Sequence, residues 1–179
     1  LALKDKAESS SNLLVAIDGP CASGKTTLSE VLKNEFNCSI IPIDDFFLQP
    51  HQRTTERLNT TGGNFDRERF IKEVISPLKS GKAFSYRPFD CKRLALSTPV
   101  EIQIKPITFI EGVYSCHPEL WDFYDYRIFV KTDTETQLKR LEKRSPTLLN
   151  RFISEWIPME EKYFSNFDIE SKCDLIIKL

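Results

Sequence analysis

Apolar residues follow two alternating rhythms along this chain. Short unbroken runs read as buried strands: Leu13-Leu14-Val15-Ala16-Ile17, Ser39-Ile40-Ile41-Pro42-Ile43, Ile107-Thr108-Phe109-Ile110, Tyr126-Arg127-Ile128-Phe129-Val130 and Cys173-Asp174-Leu175-Ile176-Ile177. Between them the spacing becomes helical, with Leu28, Val31, Leu32 and Phe36 in one set, Phe70, Val74 and Leu78 in another, and Leu138 with Leu141 in a third. Leu120, Trp121 and Phe123 suggest a short helix after His117. Phe152, Ile153, Trp156 and Ile157 form an amphipathic stretch in which Pro158 predicts a kink or break. Gln49 to Gly63 is polar and without period, which predicts a long surface loop.

Strand and helix in regular alternation predict a three-layer α/β/α fold around a mostly parallel central sheet. Lys82–Tyr86 and Val100–Ile104 have strand character on either side of a turn-rich connection. They predict a small antiparallel excursion over about residues 82–104. Residues 1–12 are charged and then Ser-rich, an arm before a single domain that spans 13–179.

Composition narrows the function classes. With 40% hydrophobic and 28% charged residues and a net charge of −1, no global basic field predicts nucleic acid as a partner. No apolar run approaches the roughly 20 residues needed to span a bilayer. Five scattered cysteines without a C-x-x-C pair, and only two histidines, argue against a disulfide framework or a zinc site. Free thiols suit a reducing, cytoplasmic setting. Oligomeric state is left open.

The first run of apolar residues ends on Gly19-Pro20-Cys21-Ala22-Ser23-Gly24-Lys25-Thr26, with Thr27 following, and helical spacing begins directly afterwards. This is the P-loop pattern G-x-x-x-x-G-K-[ST] in its required strand-to-helix setting. Glycines let successive N–H groups turn inward as an anion nest, and the helix adds its positive N-terminal end. Lys25 would reach the β- and γ-phosphates of a nucleotide, and the Thr26 hydroxyl would ligate Mg²⁺. Cys21 admits two readings: a thiol activated by Lys25, or a small residue that fits the loop.

Two strand ends carry acids. Asp44-Asp45 follows the second strand, where a carboxylate can take a proton from an attacking hydroxyl. Glu111 closes the third strand, where it can hold Mg²⁺ or a water in its shell, and Gly112 permits close approach. Asp66 fits either a helix N-cap or a substrate ligand. Lys139, Arg140, Lys143 and Arg144 form the densest basic cluster. They predict a lid over about 139–151 that closes on phosphates, or else a solvated face with a Glu135–Lys139 pair.

In order and spacing these residues resemble the uridine kinase and phosphoribulokinase group of P-loop kinases, from about Leu13 to Leu179. The resemblance rests on Gly19–Thr26, on Asp44-Asp45-Phe46-Phe47, on Asn64-Phe65-Asp66 and on Phe109-Ile110-Glu111-Gly112. It implies an ATP- and Mg²⁺-dependent kinase for a small-molecule hydroxyl, with a nucleoside acceptor favoured. Asp44 would be the catalytic base, Asp66 a ligand of the acceptor's ribose hydroxyls, and Arg140 and Arg144 lid arginines.

The family's Tyr-Asp-Phe-x-x-His-x-Arg segment, which reads a pyrimidine base, falls on Tyr86-Arg87-Pro88-Phe89-Asp90-Cys91-Lys92-Arg93. Tyr86 and Arg93 match as acceptor ligands, whereas Arg87 and Cys91 depart. A lost buried reader weakens base discrimination, which keeps a sugar phosphate, pantothenate or glycerate as alternative acceptors. A nucleotide-binding module without turnover is the alternative outside the enzymes.

Overall fold

The computed structural model describes Lys6 and residues 12–179, so most of the predicted N-terminal arm lies outside the described residues. β1 (Leu13–Asp18) runs into the P-loop and then α1 (Lys25–Glu35). β2 (Cys38–Pro42) follows and opens into a tight 3₁₀ turn, Ile43–Phe46. Residues 49–63 are more ordered than their polarity predicts. They hold a 3₁₀ turn, Pro50–Gln52, and α2 (Thr55–Asn59), which is N-capped by the Thr54 side chain. Five residues are too few to show a helical period, so only the cap residue signals this element.

α3 covers residues 67–80 and passes through a wide π turn at Ile71–Ile75. The excursion comes next. β3 (Phe84–Tyr86) pairs antiparallel with β6 (Val100–Ile102), enclosing a hairpin of β4 (Phe89–Asp90) and β5 (Ala95–Leu96). β7 (Ile107–Glu111), β8 (Tyr126–Lys131) and α4 (Thr134–Arg144) return to the main sheet. α5 covers 149–167, α6 is Ile169–Lys172, and β9 (Leu175–Lys178) is the last strand.

Pro158 does not break α5. It sits in the first turn of Ile157–Phe167, directly after a π turn at Phe152–Trp156. The wider turn has already shifted the hydrogen-bond pattern, so proline's missing N–H and its ring cost little there.

The main sheet has the order β2-β7-β1-β8-β9, and all four pairings are parallel. Strand connections diverge from β1 and β7, so a crevice opens at the carboxyl ends of that pair, where ligands bind in open α/β sheets. Side chains alternate between two cores. Val15, Ile17, Phe109, Ile128 and Val130 pack under Leu28, Leu32 and Phe36 of α1. Ala16, Ile41, Ile110 and Phe129 pack with Phe46, Phe65, Phe70 and Tyr163 on the opposite face.

Phe46 meets Phe70 edge-on at 5.0 Å between ring centroids, an arrangement worth about 0.5–1.5 kcal/mol beyond area burial. This aromatic core fixes the 43–46 turn, and with it Asp44. Among the described residues no helix is long and apolar enough to cross a membrane.

Candidate active site

The P-loop is anchored before any ligand is considered. Gly19 has φ +139°, and a Cβ there would collide with the Val130 carbonyl, so β1 and β8 approach closely only because this residue is glycine. Asp18, fully buried, accepts hydrogen bonds from the Gly19 N–H at 2.7 Å, the Cys116 N–H at 2.9 Å and the Tyr163 hydroxyl at 2.8 Å. Burial pushes its carboxyl up to about 6 despite those donors.

Lys25 is only 6% exposed and donates to the carbonyls of Gly19 at 2.8 Å and Pro20 at 2.9 Å. A buried cation that donates to loop carbonyls, at the start of an eleven-residue helix, is a cradle that fits polyphosphate.

Glu111 and Thr26 meet at this cradle. The Thr26 hydroxyl donates to Glu111 Oε1 at 3.4 Å across the β1–β7 crevice. Burial raises the Glu111 carboxyl, the Lys25 charge lowers it, and the Asp44 charge raises it again. Gly112 has φ +142°, and a Cβ there would stand 3.0 Å from Ile43 Cβ and 3.6 Å from Asp44 Oδ1. The strand-end glycine therefore lets the Asp44 turn close onto Glu111, as its position after β7 predicts.

Asp44 itself is exposed at the mouth of the crevice. Surrounding protein raises its carboxyl, while Lys25 and Arg144 pull it down. One lysine and two acids thus share a single electrostatic neighbourhood. A hydroxyl and a carboxylate are hard oxygen donors in the small number that suits Mg²⁺, which completes its shell with water and substrate phosphates. The residues present fit both ATP and Mg²⁺. Among the described residues no cluster of three or more His, Cys, Asp or Glu forms an all-protein metal cage.

Other predicted residues are placed differently. Asp66 is 1% exposed, and its Oδ1 accepts the Arg69 N–H at 3.2 Å as the N-cap of α3. Its Oδ2 lies 3.4 Å from Arg69 Nε and is closed to solvent. The structure therefore shows the capping role, with the carboxylate committed to Arg69. Tyr86 is buried and donates to Asp45 Oδ2 at 2.7 Å.

Arg93 stands at the hairpin tip with its side chain 85% exposed, 3.8 Å from Asp90. The hairpin turns it outward because Asp90 Oδ1 accepts the Lys92 and Arg93 N–H groups. Of the basic cluster, Lys139 pairs with Glu135 at 2.6 Å on a solvated face. Arg140 instead donates to the carbonyls of Ala22 at 3.2 Å and Ser23 at 3.1 Å. Arg144 lies over Phe152 and within electrostatic range of Asp44. The Cys21 thiol is pushed up to about 12, mainly by burial and then by Glu160, so the reading of Cys21 as a small loop residue holds and an activated thiol does not.

Sequence reasoning missed Asp18, Gln137, Glu160 and Tyr163. Asp18 had a signal, a charge closing an apolar strand just before the loop. The other three lie more than 110 residues downstream of their partners, and no local pattern marks them.

Together the five-stranded parallel sheet and the strand–loop–helix at Gly19–Thr26 define a P-loop α/β fold. The fold is that of the uridine kinase-like P-loop kinases. No family model matches the chain.

Among solved structures, it is similar to a possible uridine kinase from Bacillus stearothermophilus, at 19% identity and TM-score 0.70, covering 99% of this chain and 100% of that one. A protein provisionally described as a fructose transport system kinase from Silicibacter sp. TM1040 matches at 22% identity and TM-score 0.71 over 93% of this chain and 89% of that one. D-glycerate 3-kinase from Cryptococcus neoformans matches at 15% identity and TM-score 0.61, over 89% and 84%. At these identities the likeness is one of fold.

Proposed function

We propose that this chain is an ATP-dependent kinase that transfers the γ-phosphoryl group to a hydroxyl of a small molecule. The observation that carries the reading is the meeting of Asp44 and Glu111 at Lys25. A protein that only bound nucleotide would have no use for a carboxylate at the acceptor side of the phosphate cradle. Lys25 and the amides of Ala22 to Thr27 bind and orient the phosphates, and Arg144 adds positive charge where it develops during transfer. Arg140 holds the loop through the Ala22 and Ser23 carbonyls. Thr26 and Glu111 would hold Mg²⁺, which would supply positive charge against the phosphates.

Asp44 accepts the proton of the acceptor hydroxyl at its carboxylate oxygen. Surrounding protein raises that carboxyl, while Lys25 and Arg144 favour its ionised form, the form a base must have. Positioning and electrostatics of this kind supply several powers of ten in rate. The exposure of Arg93 and the engagement of Tyr86 with Asp45 favour a second reading of the acceptor, in which it is a sugar phosphate, pantothenate or glycerate rather than a nucleoside. A cytoplasmic setting agrees with all five cysteines being free.

The test is ADP release with Mg²⁺ and ATP across a panel of nucleosides, sugar phosphates, pantothenate and glycerate. Acceptor-stimulated release is expected with one chemical class. Release that no acceptor stimulates contradicts the proposal.

A further inference from the structure

The first half of the P-loop is gripped from outside by two helices that come late in the chain. On α5, Glu160 and Tyr163 lie one turn apart on the same face. Tyr163 donates to Asp18, and Glu160 Oε2 accepts the Cys21 N–H at 2.8 Å. On α4, Gln137 and Arg140 repeat the same spacing. Gln137 Nε2 donates to the Cys21 carbonyl at 2.9 Å, and Arg140 to the next two carbonyls. Cys21 therefore has both backbone polar groups fixed by side chains from distant elements, and its Glu160 partner is a carboxylate only 7% exposed.

A buried carboxylate is costly unless it holds something in place. Here it holds the peptide that precedes the anion-binding amides, beside the cation that must meet the phosphates. The geometry points to Glu160 as a positioning residue for nucleotide binding: it sets the direction of the P-loop amides and takes up a proton as polyphosphate arrives. This rests on the nucleotide-binding half of the proposed function and not on turnover.

The Cys21 N–H engages Oε2, and the Cys21 thiol also hydrogen-bonds the carboxylate. Glu160 also borders an open cavity of about 700 Å³ lined by Pro20, Lys131, Gln137, Glu161 and Glu170, which gives water a route to it. The charged and titratable groups facing it are Lys25 and the Cys21 thiol from the P-loop, Asp18 from β1, and Tyr114 from the segment after β7. Across the cavity, Lys131 is neutralised by Glu170 at 2.5 Å.

Burial is the main cause that brings the Glu160 carboxyl up to about 7, and Lys25 is among the groups holding it down. When phosphates claim Lys25 and add negative charge, that restraint weakens and the carboxyl rises further. A group whose affinity for protons is higher in the complex takes up protons on binding, and binding then tightens as pH falls.

Calorimetric titration of the full chain with ATP and Mg²⁺ near pH 7, in two buffers of different ionisation enthalpy, tests this. Wild type is expected to take up a sizeable fraction of a proton per nucleotide. Glu160→Gln keeps an acceptor oxygen for Cys21 but cannot titrate there, so its nucleotide binding should lose that fraction of a proton. Glu160→Ala should weaken binding about tenfold, the loss of one charge-assisted hydrogen bond. It should also speed amide exchange in the peptide containing Cys21, a readout that needs no ligand.

Equal proton uptake by wild type and Glu160→Gln overturns the inference. So does unchanged amide exchange in Glu160→Ala, and if that variant fails to fold the glutamine variant decides alone. Proton-linked ATP binding without phosphoryl transfer to any acceptor would contradict the proposed function while leaving this inference intact.

Discussion

Thr26 and Glu111 meet across the crevice between β1 and β7, hydroxyl to carboxylate at 3.4 Å, although 85 residues separate them in sequence. The meeting depends on strand register. Ile17 lies opposite Glu111, and the Gly112 N–H donates to the Ile17 carbonyl at 3.1 Å, so the loop after β1 and the acid ending β7 emerge side by side. Removing the carboxylate while keeping its shape, in Glu111→Gln, should raise the Mg²⁺ concentration needed for half-maximal turnover about tenfold. ADP release measured against Mg²⁺ checks this.

Lys25→Ala should lower kcat/KM for ATP by roughly 10²–10³, since a preorganised charge in a desolvated site is lost. Its melting temperature should fall, because buried Asp18, Glu111 and Glu160 lose the cation that favours their charged forms. Initial rates over a range of ATP concentrations, with a thermal melt of the same preparation, measure both.

Asp18 makes stability depend on pH in a definite direction. Its carboxyl is raised from 3.8 unfolded to about 6 folded, so the folded protein binds more protons between those values. The contribution is full below pH 3.8 and is lost as pH rises through about 6, by roughly 3 kcal/mol at most. Asp18→Asn should flatten the melting-temperature profile across that window relative to wild type. It should also lower stability at neutral pH, because its amide nitrogen cannot accept from Cys116 or Tyr163. Melts of both proteins from pH 4 to 7 give the difference.

Asp66→Ala should destabilise the fold by about 1–2 kcal/mol, because it removes a helix cap and one of the two carboxylates beside buried Arg69, which keeps Glu73. Arg93→Ala, by contrast, should leave stability and acceptor kcat/KM within about twofold of wild type, as its side chain is exposed at the hairpin tip. Chemical denaturation of the first and kinetics of the second distinguish these roles.

Much of the fold was legible because it is written locally. The runs Leu13–Ile17 and Ile107–Ile110 are apolar because both faces of their strands are covered, and the P-loop is contiguous, so a single stretch carries its whole meaning. Asp44 and Glu111 were legible as strand-end acids, since parallel strands bring their carboxyl ends to one edge. The exposure of Arg93 was not legible, because matching letters in a segment do not fix the twist of the hairpin that carries them. Pro158 marked the irregularity of this helix, but the π turn just before it has no sequence mark of its own. Glu160 and Tyr163 were invisible: their helical spacing reads as an ordinary inward face, and only tertiary packing shows that the face meets a phosphate loop.

The central claim is that Asp44 receives the acceptor's proton at a phosphate cradle built on Lys25. Transfer of labelled γ-phosphate from ATP to whichever acceptor stimulates ADP release, compared between wild type and Asp44→Asn at equal ATP occupancy, tests it most directly. The account predicts a fall of about 10²–10⁴ in transfer rate with the Kd for ATP essentially unchanged. Transfer by Asp44→Asn at the wild-type rate would contradict it.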